Sequence, residues 1–504
     1  MDIKQTGSVN VAGGKICGCN VNGINIYKGI PYAAPPVGEL RWKAPKPPVS
    51  WNGVKECVKW EKSPVQMEQK PFFAWTKEFI IEDTGYSEDC LYLNVWAPDD
   101  MCGKKPVIVF FHGGNLISGG PSCEIYEGQR IAAKGAVYVS VGFRVGILGL
   151  LACTALSEEN EHGVSGNYML LDQIAALEWV RDNIAGFGGD PDNVTITGLS
   201  AGGCNVNALA VSPLAKGLFR RVFAISYLDY GHIGIIRPWA SLTELSAKGD
   251  ELFAGMSLEE MRAIPAEDML KKVYPVNMCV DGYVLPEAFT EAVNDGATDG
   301  LDYIAGMVAG DGMAYKLTPF GAQIDEQKAL ALINDFFGDL AEEALSVYDL
   351  NKQFPDMTFT QMGHDAFLAS LYMFGDTRRD RNSGNTYIYE FVHVMPGKDS
   401  EMFGAFHSSD MPYFWNIFSD ERKDAWTQAD RELGEKLCKA LVSFAASGRT
   451  DDSGGWEPYS GTYCCNIGIN GYEKSIMNEK KLLFWKKTIN SKVKIKELIS
   501  GGVK

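Results

Sequence analysis

Asn193-Val194-Thr195-Ile196-Thr197-Gly198-Leu199-Ser200-Ala201-Gly202-Gly203-Cys204-Asn205-Val206-Asn207-Ala208-Leu209-Ala210 is the stretch whose reading decides the fold. Its first part carries four β-branched residues in succession, Val194 to Thr197, and predicts a short strand. Its last part is rich in Ala and suits the start of a buried helix. Between them stands Gly-x-Ser-x-Gly, in the strand–turn–helix setting that gives this motif its meaning. The glycines permit a sharp turn and close backbone approach, so Ser200 is expected in a strained turn with its hydroxyl exposed. The helix that follows aims the positive end of its dipole at the same point. The pattern predicts a nucleophilic serine rather than a plain glycine turn.

Working outward, Leu91 to Trp96 alternates and fits a strand, and Pro106 to Phe111 is an unbroken apolar run, as in a strand covered on both faces. Ala136 to Val141 is a second buried strand, and Arg221 to Ile225 another. Leu170, Ile174, Leu177 and Ile184 mark one face of a helix that ends near Gly186. Strands alternating with helices predict an α/β fold with a mainly parallel sheet wrapped on both faces. A region of about 238–380 is richer in short helical patterns, at Leu258 to Leu270 and Gln327 to Leu350, with strand-like pieces at Tyr303 to Ala305 and Thr386 to Phe391. With no internal repeat and no long linker, one domain over 1–504 with helical insertions is the simplest account. Tyr27 to Gly38, dense in Pro and Gly, is expected as a surface loop.

The formal net charge of −17 argues against a nucleic-acid partner, whose binding draws on clustered Lys and Arg. No apolar run is long enough to span a bilayer, and Met1 to Ser8 lacks an apolar signal core, so the cytoplasm is the expected location. The exception to the acidic balance is Lys474 to Lys504, where Lys480, Lys481, Lys486, Lys487, Lys492, Lys494 and Lys496 surround Phe484, Trp485, Val493 and Ile495. It reads as a terminal helix packing its apolar side on an acidic body, in preference to a membrane-docking segment. The twelve cysteines have no zinc-site spacing, and free thiols are the default. Asp190, Asp192 and Asn193 lack calcium-loop spacing and read as a polar turn entering a strand.

A serine hydroxyl needs a base, and the base needs an orienting anion. Six histidines are available. His112 lies in the loop His112-Gly113-Gly114-Asn115, where its backbone matters more than its ring; His162, His232, His364 and His393 have no surrounding pattern. His407, in Phe403-Gly404-Ala405-Phe406-His407-Ser408-Ser409-Asp410, is the best remaining candidate. Asp311 follows a strand-like piece and is flanked by glycines, but many carboxylates fall between Ser200 and His407, and spacing alone does not select it. Ala201, next after the serine, supplies one amide to an oxyanion, and the loop from His112 to Asn115 can supply others. Phe72, Phe73, Trp75 and Phe79 form either a satellite cluster under a loop or one wall of a substrate gorge.

Ser87-Glu88-Asp89-Cys90-Leu91-Tyr92-Leu93-Asn94 and Gly198-Leu199-Ser200-Ala201-Gly202-Gly203 resemble the two signatures of the type-B carboxylesterases, the cholinesterase-like α/β-hydrolases. Gly29 to Ala33, Pro35 to Gly38, Asp172 to Asn193 and Val280-Asp281-Gly282 are similar to that family too, over about residues 8 to 460. The resemblance implies an α/β-hydrolase fold with Ser200 as nucleophile, His407 as base and Asp311 as acid. It implies an oxyanion hole from Gly114, Asn115 and Ala201, an Arg41–Glu88 ion pair in a structural role, and no cofactor or metal. Three positions depart from the family pattern. Asp311 stands where Glu is commoner, so its loop must come closer or a neighbouring carboxylate must serve. Asn115 replaces a third glycine, which alters pocket shape more than mechanism. Pro64 stands near where secreted relatives place the disulfide partner of Cys90, so Cys90 is expected as a free thiol.

The expected function is hydrolysis of a small-molecule carboxylic ester through an acyl-enzyme. The aromatics at Phe72 to Phe79 and at Tyr413, Phe414 and Trp415 suit an aryl or hydroxycinnamoyl ester, which makes a feruloyl-type esterase the second reading. A non-catalytic binding protein on the same fold is the rival from another class.

Overall fold

Runs of β-branched and aromatic residues build one twelve-stranded sheet, whose strands are β1 (Ile3–Gln5), β2 (Cys19–Val21), β3 (Ile24–Pro31), β4 (Tyr92–Pro98), β5 (Lys105–Phe111), β6 (Val137–Val141), β7 (Gly189–Leu199), β8 (Arg221–Ile225), β9 (Asp302–Val308), β10 (Thr386–Phe391), β11 (Cys464–Gly468) and β12 (Gly471–Ser475). The computed structural model describes residues 3–100, 103–231, 239–312, 324–398, 400–450 and 455–491. Across the sheet the order is β1-β2-β3-β4-β6-β5-β7-β8-β9-β10-β11-β12. From β6 to β11 every neighbour is parallel, and the flanking pairs are antiparallel. This is the α/β-hydrolase fold. β6, β8 and β9 are buried along nearly their whole length, as are Val107 to Phe111 of β5 and Val194 to Leu199 of β7, which is why they read as runs without polar alternation.

The sheet is covered by helices α1 (Tyr168–Asn183), α2 (Ala201–Val211), α3 (Pro355–Arg381), α4 (Gln428–Ser447) and α5 (Glu479–Asn490). α2 packs on β7 and β8, α4 on β5 and β7, and α3 on β9 and β10. Two extensive apolar clusters result, one holding Val109, Ile196 and Val222, the other Ile108, Phe110, Phe223 and Ile304. Alternate residues of single strands divide between them, as the period of two requires. The helical patterns in the middle of the chain become Leu258–Ala263, Ala266–Met269, Glu326–Phe337 and Ala341–Val347.

Two expectations are corrected. Tyr27 to Gly38 is not a surface loop. Its first half belongs to β3, paired with β4, and Tyr27, Ile30, Tyr32 and Ala33 are buried. A bulge between Tyr27 and Ile30, with Gly29 at φ 79°, accommodates the glycine that made the stretch look irregular. Tyr413, Phe414 and Trp415 are core residues rather than the substrate-facing aromatics expected of them. They are fully buried against Tyr389, Phe223 and Phe110 in the second core cluster.

The C-terminal lysines behave as a packed helix requires. In α5, Phe484 and Trp485 are buried while Lys481, Lys486 and Lys487 reach Asp365, Asp376 and Glu343 at 2.8, 2.7 and 2.5 Å. Lys492, Lys494 and Lys496 lie outside the described residues. Arg41 and Glu88 form the expected pair, bidentate at 2.6 and 2.5 Å, with Arg41 Nη1 also donating to the Ile264 carbonyl. Cys90 is buried and unpaired. No described helix is long and apolar enough to cross a membrane, and the described residues hold no cluster of metal-binding side chains.

Candidate active site

The site residues stand where parallel strands end. β7 ends at Leu199 and passes directly into Ser200, the N-cap of α2. Ser200 has φ 58° and ψ −121°, a combination that side chains with a Cβ rarely adopt. The surrounding glycines explain how the turn is held. A Cβ on Gly202 would fall 2.0 Å from the Phe111 carbonyl oxygen, and one on Gly198 would fall 2.2 Å from that of Gly202. The Ser200 amide donates to the Ile225 carbonyl at 2.8 Å, tying the turn to the tip of β8. Ala201 opens α2, so its amide has no carbonyl within the helix to reach.

β5 ends at Phe111, opposite Gly198, and leads into the loop from His112 to Asn115. Gly113 packs so close that a Cβ there would meet the Leu199 carbonyl oxygen at 2.8 Å and the Ser200 Cβ at 3.2 Å. Gly114 has φ 118°, and a Cβ on it would clash with the Ser118 carbonyl oxygen at 2.1 Å. Asn115 has φ 55°, so the position where the family pattern has glycine is left-handed, and Asn is among the side chains that bear this best. The His112 ring is buried, stacks on Phe143 at 4.1 Å, and is pushed down to a pKa of about 4 by burial, leaving it neutral.

β9 ends at Val308, and Asp311 follows in a single tight turn, its Oδ2 accepting from the Val308 amide at 2.9 Å. Its Oδ1 lies 2.5 Å from His407 Nδ1. Asp311 is fully buried, while the His407 side chain keeps 18% of its surface exposed. Burial alone would lower the imidazole pKa; the adjoining Asp311 carboxylate outweighs it and holds His407 above the ordinary value. With Nδ1 committed to Asp311, Nε2 is the nitrogen left for a hydroxyl. Ser200 and His407 line one cavity of about 890 Å³, with no hydrogen bond between them.

Asp410 and Tyr389 were not anticipated as part of this setting. The Tyr389 hydroxyl donates to Asp410 Oδ2 at 2.9 Å, and burial, with Asp311 nearby, pushes the Asp410 carboxyl up to about 7. The signal was in the sequence, since Asp410 closes the motif around His407. The other histidines serve elsewhere. His364 bridges Glu390 and Asp365, His393 contacts Asp430, and His162 stacks on Tyr283. His232 lies outside the described residues.

Phe72, Trp75 and Phe79 line the cavity, together with Tyr126, Ile147 and Leu199, so the aromatic stretch forms a gorge wall. Trp75 and Phe79 meet Phe406 edge-on at 5.9 and 5.7 Å, linking that wall to the loop of His407.

Residues 5–485 match the model of the carboxylesterase family. The fumonisin B1 esterase of Sphingopyxis macrogoltabida is 32% identical over 463 residues, covering 85% of this chain and 80% of that protein. The para-nitrobenzyl esterase of Bacillus subtilis is 31% identical over 475 residues, covering 88% and 91%. Two solved structures of PNB esterase superpose with TM-scores of 0.77 and 0.74 at 26% and 27% identity, each covered to 99%.

Proposed function

Since the chain belongs to the carboxylesterase family and is a carboxylic ester hydrolase, we propose that it works through an acyl-enzyme on Ser200, with His407 as base and Asp311 as the orienting acid. His407 Nε2 takes the proton as Ser200 Oγ attacks the ester carbonyl, and the amides of Gly114, Asn115 and Ala201 receive the oxyanion. The C–O bond to the alcohol breaks, and the proton on His407 passes to the departing oxygen. Water, deprotonated by the same ring, then attacks the acyl carbon; the proton returns to Ser200 as the acid leaves. Asp311 keeps Nδ1 protonated and stabilises the imidazolium while it lasts. The observation that carries this reading is the Asp311–His407 pair, whose ring shares a cavity with a serine held at positive φ.

The substrate reading is a small ester, with room in about 890 Å³ for an aromatic group against Phe72, Trp75 and Phe79. That wall is the specific observation favouring the second reading, a feruloyl-type esterase. A fluorophosphonate probe tests the mechanism. The expected result is a single adduct on Ser200 that Ser200→Ala abolishes; an unlabelled wild-type chain would favour a non-catalytic binding protein instead. A panel of p-nitrophenyl esters beside methyl hydroxycinnamates separates the two substrate readings.

A further inference from the structure

The opening of the Ser200 cavity is bordered by large apolar side chains that face outward. Val273 is 89% exposed, Met67 71%, Phe73 63% and Phe72 54%. Met67, Phe72 and Val273 belong to the cavity wall, and Phe73 packs edge-on against Phe72 at 6.0 Å. Exposed hydrophobes scattered singly are ordinary, whereas a cluster at the border of a cavity marks an interaction surface. An ester bound inside reaches Trp75 and Phe79, whereas Phe73 is not among the side chains that line the cavity.

Lysines stand among these side chains. Lys70, Lys271 and Lys272 line the same cavity, beside the single carboxylate of Glu68, in a chain whose net charge is −17. Lys70 and Lys271 meet Glu68 and Asp268 at 3.3 and 2.6 Å, exposed pairs that hold a lysine only weakly. Lys272 sits over the Phe253 ring at 5.0 Å. Apolar side chains flanked by flexible ammonium groups are what a protein presents to a bilayer with acidic head groups.

We propose that this rim docks the protein on a lipid bilayer bearing acidic head groups, so that the cavity opens onto the membrane surface. Phe73, Met67 and Val273 enter the interface while the lysines remain at head-group level. The acidic remainder of the protein is repelled, which turns the opening toward the lipid.

Co-sedimentation of the full chain with vesicles tests this, using phosphatidylcholine alone and phosphatidylcholine with phosphatidylglycerol. Binding is expected on the phosphatidylglycerol vesicles, weakening as salt is raised. Phe73→Glu is expected to reduce that binding about tenfold. The same variant should hydrolyse p-nitrophenyl acetate at the wild-type rate. No binding, equal binding to both compositions, or binding indifferent to Phe73→Glu overturns the proposal. Wild-type hydrolysis of the soluble ester is read in the same samples; its absence would count against the esterase mechanism, whereas failure on vesicles alone overturns only the docking.

Discussion

The Gly310 amide donates to the Ala405 carbonyl over 2.8 Å, stitching the loop of Asp311 to the loop of His407 one residue before the aspartate and two before the histidine. A Cβ on Gly310 would lie 2.3 Å from that carbonyl oxygen, so the two backbones are in contact. This close approach is how an aspartate reaches an imidazole where the family pattern favours the longer glutamate. The other carboxylate nearby, Asp410, accepts from the Tyr389 hydroxyl.

Asp311→Asn is expected to lower kcat by about 10⁴ with little change in KM, because the ring loses its tautomer and the stabiliser of its charged form. Asp311→Glu is expected to cost about 10² rather than to restore a family norm, since the extra methylene has no space to occupy. Steady-state kinetics on p-nitrophenyl acetate check both. A glutamate variant as active as wild type would mean the loop spacing is not set by the aspartate.

The pH profile of kcat/KM carries a sign. His407 must be neutral to act as base, and the Asp311 carboxylate outweighs burial to raise its pKa. Protonation therefore persists to higher pH, and the midpoint of the acid limb falls above the ordinary imidazole value of about 6.5. A midpoint below that value would contradict the coupling.

Ser200 at φ 58° stores backbone strain that glycine would not feel. Ser200→Gly is expected to be inactive yet more stable than Ser200→Ala by about 1 kcal/mol, read from chemical denaturation of the two variants. Equal stabilities would show that the turn is relaxed.

His364 gives a separate stability signature. Burial opposes its charge, but hydrogen bonds to Asp365 and Glu390 raise its pKa to about 9. Its contribution, about 3 kcal/mol, is therefore fully present below the unfolded value of about 6.5 and is lost as pH rises through the folded value. The gap in thermal midpoint between wild type and His364→Gln should shrink on going from pH 6 to pH 10. A constant gap would mean that the ring is neutral throughout.

Much of the fold was legible because the central strands are covered on both faces. β8 and β10 were read to the residue, since Arg221 to Ile225 and Thr386 to Phe391 are apolar or β-forming runs with clear ends. The longest helix, α3, was not read, because it is buried on several sides. Gly363, Asp365, Ser370 and Arg378 are all interior, so no polar stripe marks a solvent face. The edge strands β11 and β12 are short and Gly-punctuated, and their pairing is fixed by β10 rather than by their own composition. Ser200 and its turn were legible because the chemistry is local in sequence. Asp311 was reached only through a resemblance, since what selects it is the meeting of two distant loops. Tyr413 to Trp415 were misplaced for the opposite reason, as aromatic content alone does not separate a core from a pocket.

α5 anchors Asp365 through Lys481, and Trp485 donates to Tyr348, which itself bonds Asp365. Its neighbour His364 lies so close to Gly312, the residue after Asp311, that a Cβ on that glycine would fall 2.8 Å from the His364 Cβ. The turn that carries Asp311 is thus joined, by way of residues 364 and 365, to a helix far from it along the chain.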